Sequence, residues 1–510
     1  MTSRPPRFIW HARDIFHLYV LLTVTFVLLS TIPNRIWTNE SLQLAATLGV
    51  IGLWRYGWWL THFIRAQIFQ HSVFRRQRHR ADRLWNNGWR PDNLYFLMTT
   101  YREHPPTTEK VLAAIVHECR EVGVPAKLFV GSGDAGDEQV IQDYLSRHGR
   151  DVDLQVIIVR QNRPGKRFAL GLALRAMCRQ GVGGDDPVVF MDGDSVLAPG
   201  CLRRCLPFFQ LDKTIDALTT YEEVHVEQGP QWVRSWLNLR FAQRHMAMQS
   251  HALSKKVLTL TGRMSVFRAR HVIKHDFIRT IEADHLNHWL WDRFRFLSGD
   301  DKSTWYWLLR NGSNMYYVPD ARVTTIERIE GNGIERMMQN LLRWSGNVLR
   351  NGARAIALGP RHVNPFIWWC LVDQRIAMWT TLIGPVSALI LMAFVDPLML
   401  IVYLLWVLVT RTFLSLLLFP YAHRIRVSFP LFLFINQLVN AIVKIYIVFR
   451  LPKQRWMNRG NQISARDGSR PIETFRTYMA GYLTTFWVSV MAFSLLFYLG
   501  ILKPLPLGTF

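Results

Sequence analysis

Six apolar runs constrain this chain more than any other feature: 15–32 and 42–64 near the N-terminus, then 376–396, 398–419, 428–449 and 478–501. A helix needs about 20 mostly apolar residues to cross the hydrocarbon core of a bilayer, and the runs are of that size. The first is too long for a removed signal peptide and lacks a small-residue cleavage site. The chain therefore reads as a polytopic membrane protein with a large polar insert at 66–375.

Lys and Arg set the orientation. Arg4, Arg7 and Arg13 precede the first run, and Arg65, Arg75, Arg76, Arg78 and Arg80 follow the second. The loop between those runs holds a single arginine. Basic loops stay on the cytoplasmic side, which places the N-terminus and the insert there. Arg55 falls inside the second run and either snorkels to the cytoplasmic face or lines a polar path. The run 428–449 carries Asn436, Gln437, Asn440 and Lys444 and is followed by a strongly basic loop. It reads as an interfacial or re-entrant helix; a true span with a basic outer loop is the other arrangement.

The net charge of +24 is spread along membrane-flanking segments. Lipid head groups and anionic substrates account for it more simply than nucleic acid does. The five cysteines show no paired metal-ligand spacing, Cys201 and Cys205 standing four apart, and read as reduced thiols. His117-Glu118 lacks the second histidine of a zinc-protease helix.

Within the insert, β-rich runs at 93–100, 126–132, 154–160 and 187–194 alternate with helix-like segments such as Glu109–Glu121 and Phe168–Cys178. Such alternation predicts a mostly parallel sheet covered by helices. Ligands of these sheets bind beyond the carboxyl ends of the strands. Those ends carry Thr100-Tyr101-Arg102-Glu103, then GSGDAGD with Asp134 and Asp137, then QNRPGKR with Lys166, then Asp192-Gly193-Asp194. Acids at i and i+2 on a strand end can share a divalent cation and a sugar hydroxyl. A hard cation such as Mg²⁺ completes its shell with phosphate oxygens and water.

These motifs, with TGRMSVF (261–267), GDD (299–301) and NLLRW (340–344), stand in an order that resembles the processive, membrane-embedded family 2 glycosyltransferases. That group includes the cellulose, hyaluronan and chitin synthases. The segments GDDKSTWYWLLRNG, 343–361 and 368–380 are most similar to its mannuronate-polymerising branch. The resemblance implies an α/β GT-A-type (Rossmann-like) cytoplasmic domain over 66–333, inserted between transmembrane helices. Two helices at 1–65 would precede it. Amphipathic interfacial helices at 334–375 and a C-terminal membrane region at 376–510 would follow.

The resemblance also implies roles. A nucleotide-sugar donor, GDP-mannuronate for this branch, would lie across the strand ends, with Tyr101 and Glu103 flanking the base. Asp134 would accept from a base N–H, although GSGD departs from the family's Asp-Asp-Gly-Ser run and Asp137 is an alternative. Lys166 and Arg343 would meet the diphosphate, Asp192 the donor, and Asp194 a divalent cation, Mg²⁺ or Mn²⁺. Asp301 would be the general base, with Asp300 supporting it; both acids also suit the first turn of a helix. Trp344 and Gly262 would face the acceptor, and Asn340 or Gln339 would replace the glutamine of QxxRW. Trp456 and Arg459 would belong to a loop covering the donor within 450–477. Arg55, Arg263 and Arg375 are candidates for lining the path of an anionic polymer. The implied partners are the growing polysaccharide, membrane lipids, a cyclic-di-GMP-binding regulatory membrane protein and a periplasmic export complex, all at the bacterial inner membrane.

Overall fold

The computed structural model describes residues 12–31, 38–162, 165–329, 331–422, 426–454 and 470–503. They fall into two compact units. One holds Ile64–Leu371 and residues 452–454; the other holds the described parts of Arg7–Phe63, Val372–Leu451 and Gly468–Phe510.

The first unit is built on an eight-stranded mixed sheet. Its strands are β1 (Leu94–Thr100), β2 (Ala126–Ser132), β3 (Leu154–Arg160), β4 (Pro187–Asp192), β5 (Ser195–Leu197), β6 (Ile215–Gln228) and β7 (Met264–Arg268). A separate hairpin, β8 (His285–His288) and β9 (Asp292–Arg295), precedes the last strand of the large sheet, β10 (Asn314–Arg328). The order is β3-β2-β1-β4-β7-β6-β10-β5. The β3-β2-β1-β4 half is parallel, as the alternating sequence predicts, whereas β7 runs antiparallel to both β4 and β6.

The parallel half explains why β1 and β4 read as continuous apolar runs. Helices cover both faces of a parallel sheet, so neither face needs polar residues. LYFLMTT of β1 is buried at six of its seven positions. Proline enters β4 only at its first residue, where no ladder donor is lost. The helix Pro105–Val122 starts on a Pro at N1, where the missing N–H costs nothing, and stops at Gly123 in the left-handed region. Its buried Glu118 accepts from the backbone N–H groups of Gly200 and Leu202, each at 2.7 Å, at the start of the short helix Cys201–Cys205. All five cysteines are free.

Strand register aligns the polar ends. Thr99 pairs with Asp192, Thr100 with Ser132, and Ser132 with Arg160. The four candidate ligand-bearing segments therefore leave the sheet along one edge.

Among the described residues, four helices are long and apolar enough to cross a membrane: Pro365–Phe394, Leu398–Leu417, Phe429–Val448 and Pro471–Tyr498. By length and hydropathy the run 428–449 thus ranks with the span-sized helices. A shorter apolar helix covers Ile15–Ser30. The run 42–64 lies in the helix Asn39–Ile68, whose Arg55 neither snorkels alone nor stands unpaired. Its guanidinium reaches Asp373 of the helix Pro365–Phe394 at 2.7 Å, and both side chains are largely buried. Removing one member of such a pair leaves an uncompensated charge. Asp373→Ala is expected to destabilise the protein by on the order of 3 kcal/mol. The thermal midpoint of detergent-solubilised protein measures this, and the double variant with Arg55→Leu should recover part of the loss.

Candidate active site

Two acid turns and one lysine meet at the end of β4. Lys166 opens the helix Lys166–Cys178. Its ammonium lies 2.6 Å from Asp192 Oδ1 and 2.9 Å from Asp300 Oδ2. Burial opposes the charge on Lys166, yet Asp192 and Asp300 more than compensate and raise its pKa. Lys166, Asp192, Thr261, Gly262, Asp300 and Asp301 line a single pocket. At Gly262 a Cβ would come within 3.2 Å of the lysine Nζ and 3.3 Å of Asp192, so a side chain would crowd this pair.

The turn that presents Asp300 and Asp301 is held from two sides. Gly299 has φ +79°, and a Cβ there would lie 2.6 Å from Asn347 Cγ of the helix Gly333–Ala357. Only glycine adopts that backbone cheaply. Asn347 in turn accepts from Ser298 Oγ at 2.9 Å. Opposite, the buried Arg167 donates to the Ile281 carbonyl at 2.8 Å, the Ser298 carbonyl at 3.1 Å and Ser303 Oγ at 2.9 Å. Consecutive residues thus divide the work, Lys166 binding carboxylates and Arg167 fixing the backbone that carries one of them. Sequence reasoning missed Arg167 and Asn347; the arginine directly after GK was the available signal.

The two acids are not equivalent. Burial alone would raise Asp300, but Lys166 and Arg167 outweigh it and hold the carboxyl below its ordinary value. Asp301 is half-buried, and among the described residues no cation pairs with its carboxylate. Burial, then the Asp300 charge beside it, push its pKa up. A raised, unpaired carboxylate has proton affinity to spare, which a general base needs. Both acids also occupy the first turn of the helix Asp300–Arg310, where negative charge suits the helix dipole.

Asp194 sits two residues beyond Asp192 and accepts a long 3.4 Å bond from Ser195 Oγ. Burial, then the charges of Asp192 and Glu103, raise its pKa to about 7. Asp192 and Glu103 lie within electrostatic reach of Asp194, and carboxylate oxygens are the donors a hard divalent cation takes, so the chemistry of these side chains suits the cation that the motif order implies.

Farther along the strand edge, the buried Asp137 accepts from Thr100 Oγ1 at 2.8 Å and from the Glu103 N–H at 3.0 Å. It clamps the Tyr101–Glu103 segment from within. Asp134 caps the next helix through the Gly136 N–H at 2.9 Å and meets Arg102 at 3.2 Å. Both contacts hold its carboxyl below the ordinary range. Of the two acids, Asp134 is the more exposed to a ligand. Tyr101 lies against Gly133, where a Cβ would press on its ring at 2.8 Å.

On the helix Gly333–Ala357, Arg343 donates to Asn340 Oδ1 at 3.2 Å, three residues back, and Asn340 is buried. Gln339 instead bonds the exposed Glu335. Trp344 stacks on Trp236 at 6.2 Å with a 24° interplanar angle. Arg263 lies in this neighbourhood and pairs with Glu222 at 3.5 Å and Glu327 at 3.6 Å. Gln454 accepts from the Leu297 N–H at 2.9 Å and donates to the Arg295 carbonyl at 3.1 Å, ahead of the acid turn. Trp456 and Arg459 lie outside the described residues.

A family model described as glycosyltransferase-like family 2 matches residues 91–347, from β1 through Trp344. The chain is a family 2 glycosyltransferase. Two curated relatives, both named glycosyltransferase alg8, align over nearly its whole length. The protein from Pseudomonas syringae pv. tomato is 36% identical over 474 residues, 93% of this chain and 94% of the relative. That from Azotobacter vinelandii is 36% identical over 447 residues, 87% of this chain and 90% of the relative. A solved mannosyltransferase from Pyrobaculum calidifontis, in complex with GDP-Man and Mn²⁺, covers 86% of this chain and 97% of its own at 14% identity and TM-score 0.39. That overlap is too slight to carry an argument. The transferase thus has a GT-A-type α/β domain with its acid motifs gathered at one sheet edge, followed by span-sized apolar helices.

Proposed function

We propose that the transferase is a processive, inverting synthase of the bacterial inner membrane. It adds mannuronate from GDP-mannuronate to a growing β-linked chain and passes that chain through its own helices. One observation carries the catalytic part: Asp300 is locked to Lys166 while its neighbour Asp301 faces the same pocket unpaired. The closer fit of the GDD, 343–361 and 368–380 segments to the mannuronate-polymerising branch supports the substrate, as do the two full-length relatives.

In this reading Tyr101, Glu103 and Asp134 hold the base, and Lys166 and Arg343 meet the diphosphate. Asp192 and Asp194 would hold a divalent cation, which offsets charge on the departing nucleoside diphosphate so that it leaves without a proton. Trp344 stacks the chain end. Asp301 takes the proton from the acceptor hydroxyl as that oxygen bonds to the anomeric carbon and the phosphate oxygen departs. Direct displacement of this kind inverts the anomeric centre.

Product length tests processivity. Membranes supplied with limiting radiolabelled donor should yield long polymer with few short intermediates. Accumulation of single-sugar products would instead mark a non-processive transferase.

A further inference from the structure

Asp284 joins the three helices that build the site. It directly follows the helix His275–Ala283 and is buried, as are Arg167, Ser298 and Ser303. Its carboxylate accepts from Arg354 Nη1 at 3.0 Å on each oxygen and from Ser303 Oγ at 2.6 Å. Ser303 in turn accepts from Arg167 at 2.9 Å. Arg354 belongs to the helix Gly333–Ala357, which carries Arg343 and Trp344. Ser303 belongs to the helix Asp300–Arg310, which begins with the acid pair, and Arg167 to the helix that Lys166 opens. One carboxylate thus bonds two of these helices directly and reaches the third through a single hydroxyl. The Asp284 carbonyl also accepts from the Phe296 N–H at 2.8 Å, closing the β8–β9 hairpin just ahead of the acid turn.

On the long helix the contacts fall on one stripe. Asn340, Arg343, Asn347, Arg350 and Arg354 recur at steps of three and four, a spacing that aligns them on one face. Asn347 and Arg350 both meet Ser298 Oγ, at 2.9 and 3.4 Å, and Arg354 meets Asp284. Arg167, Arg350 and Arg354 also lie against the buried Phe296 ring, their guanidinium carbons 6.0, 5.5 and 5.7 Å from its centre. Three cations packed on one ring repel each other, and burial limits the screening that solvent gives. Asp284 offsets that repulsion, bonding Arg354 and favouring the charged forms of Arg167 and Arg350. Apolar packing would fill such a joint at lower cost. Charge-assisted hydrogen bonds add what packing lacks, a fixed direction between the parts they join.

We infer that Asp284 is a positioning residue: it registers the stripe that carries Arg343, with Trp344 beside it, against the turn that carries Asp301. It thereby holds the acceptor hydroxyl within reach of its base. The inference rests on the proposed roles of Trp344 and Asp301. Its consequence is a partition. A sugar acceptor needs both helices in register, whereas water needs only the base and the donor. In hydrolysis a water oxygen bonds to the anomeric carbon, its proton passes to Asp301 and the phosphate oxygen departs. Loosening the joint should therefore cost transfer to sugar more than it costs hydrolysis.

The ratio of the two products tests it. Full-length protein in nanodiscs, supplied with GDP-mannuronate and mannuronate oligosaccharides, is assayed for sugar added to the chain and for free mannuronate released. Asp284→Asn should lower kcat for transfer about a hundredfold, the cost of misplacing a reacting pair by about 1 Å, with hydrolysis falling less than about tenfold. Donor KM should stay near the wild-type value. Ser303→Ala cuts the link to Arg167 and leaves the Arg354 pair; it and Arg354→Gln should lower the transfer-to-hydrolysis ratio in the same direction. Combining Arg354→Gln with Asp284→Asn should lower it little further, since both remove the same pair. Where Asp284→Asn does not accumulate, the other two single variants decide. A ratio that stays at the wild-type value in both, or transfer and hydrolysis falling in parallel, would overturn the inference and leave Asp284 a residue of the core. Trp344→Ala should lower the same ratio. If it does not, the acceptor placement has failed, and the Asp284 reading falls with it.

Discussion

Asp301→Asn is expected to abolish detectable polymer formation, lowering kcat by roughly 10²–10⁴-fold, the usual contribution of a positioned general base. Asparagine keeps the shape and the helix start, so donor binding should stay within about twofold of the wild type. The pH dependence provides a second reading. A general base works only when deprotonated, so activity falls as pH drops through its pKa. Burial and the Asp300 charge raise that pKa, which sets the acid limb above the ordinary carboxylate range. Asp300→Asn removes the neighbouring charge and should move the limb to lower pH. Measurable polymer from Asp301→Asn, or a limb unmoved by Asp300→Asn, would count against the assignment.

Lys166→Met should be nearly as damaging, for a different reason. Among the described residues, the ammonium is the one charged group paired with both acid turns, at 2.6 Å from Asp192 and 2.9 Å from Asp300. Without it two carboxylates face each other with the charge of Arg167 alone to steady Asp300. Breaking a buried pair from one side costs on the order of 3 kcal/mol, which as lost donor and transition-state binding is about a hundredfold. Because Lys166 also lowers Asp301, its removal should shift the acid limb of the pH–rate profile upward, opposite to Asp300→Asn. Donor affinity, kcat/KM and the direction of that shift are the measurements. A downward shift or an unchanged donor affinity would mean that the bridge is incidental.

Local signals made part of this arrangement legible. β2 and β3 span the residues that the apolar runs predict, because Gly, Pro and Asp punctuate both ends of those runs. DGD and GDD announced themselves as acids that short-range structure does not require. The other half of the sheet was not legible, since β6 pairs antiparallel with β7 and parallel with β10 across long stretches of chain that no periodicity links. Arg167, Asn347 and Glu222 act through distant partners, so spacing along the chain could not single them out. Asp137, the alternative to Asp134 as the base-binding acid, is buried against Thr100 and the Glu103 backbone, contacts that its motif does not announce. Asn340 and Gln339 both stand within helical reach of Arg343, and of the two Arg343 bonds Asn340.

Donor choice bears most directly on the whole account. Membranes bearing the transferase would be offered GDP-mannuronate, GDP-mannose, UDP-glucose and UDP-glucuronate in parallel, with and without cyclic-di-GMP, and polymer scored by size and sugar content. The account predicts long polymannuronate from GDP-mannuronate alone, absent in Asp301→Asn. Polymer from a UDP-sugar, with GDP-mannuronate left unused, would contradict it.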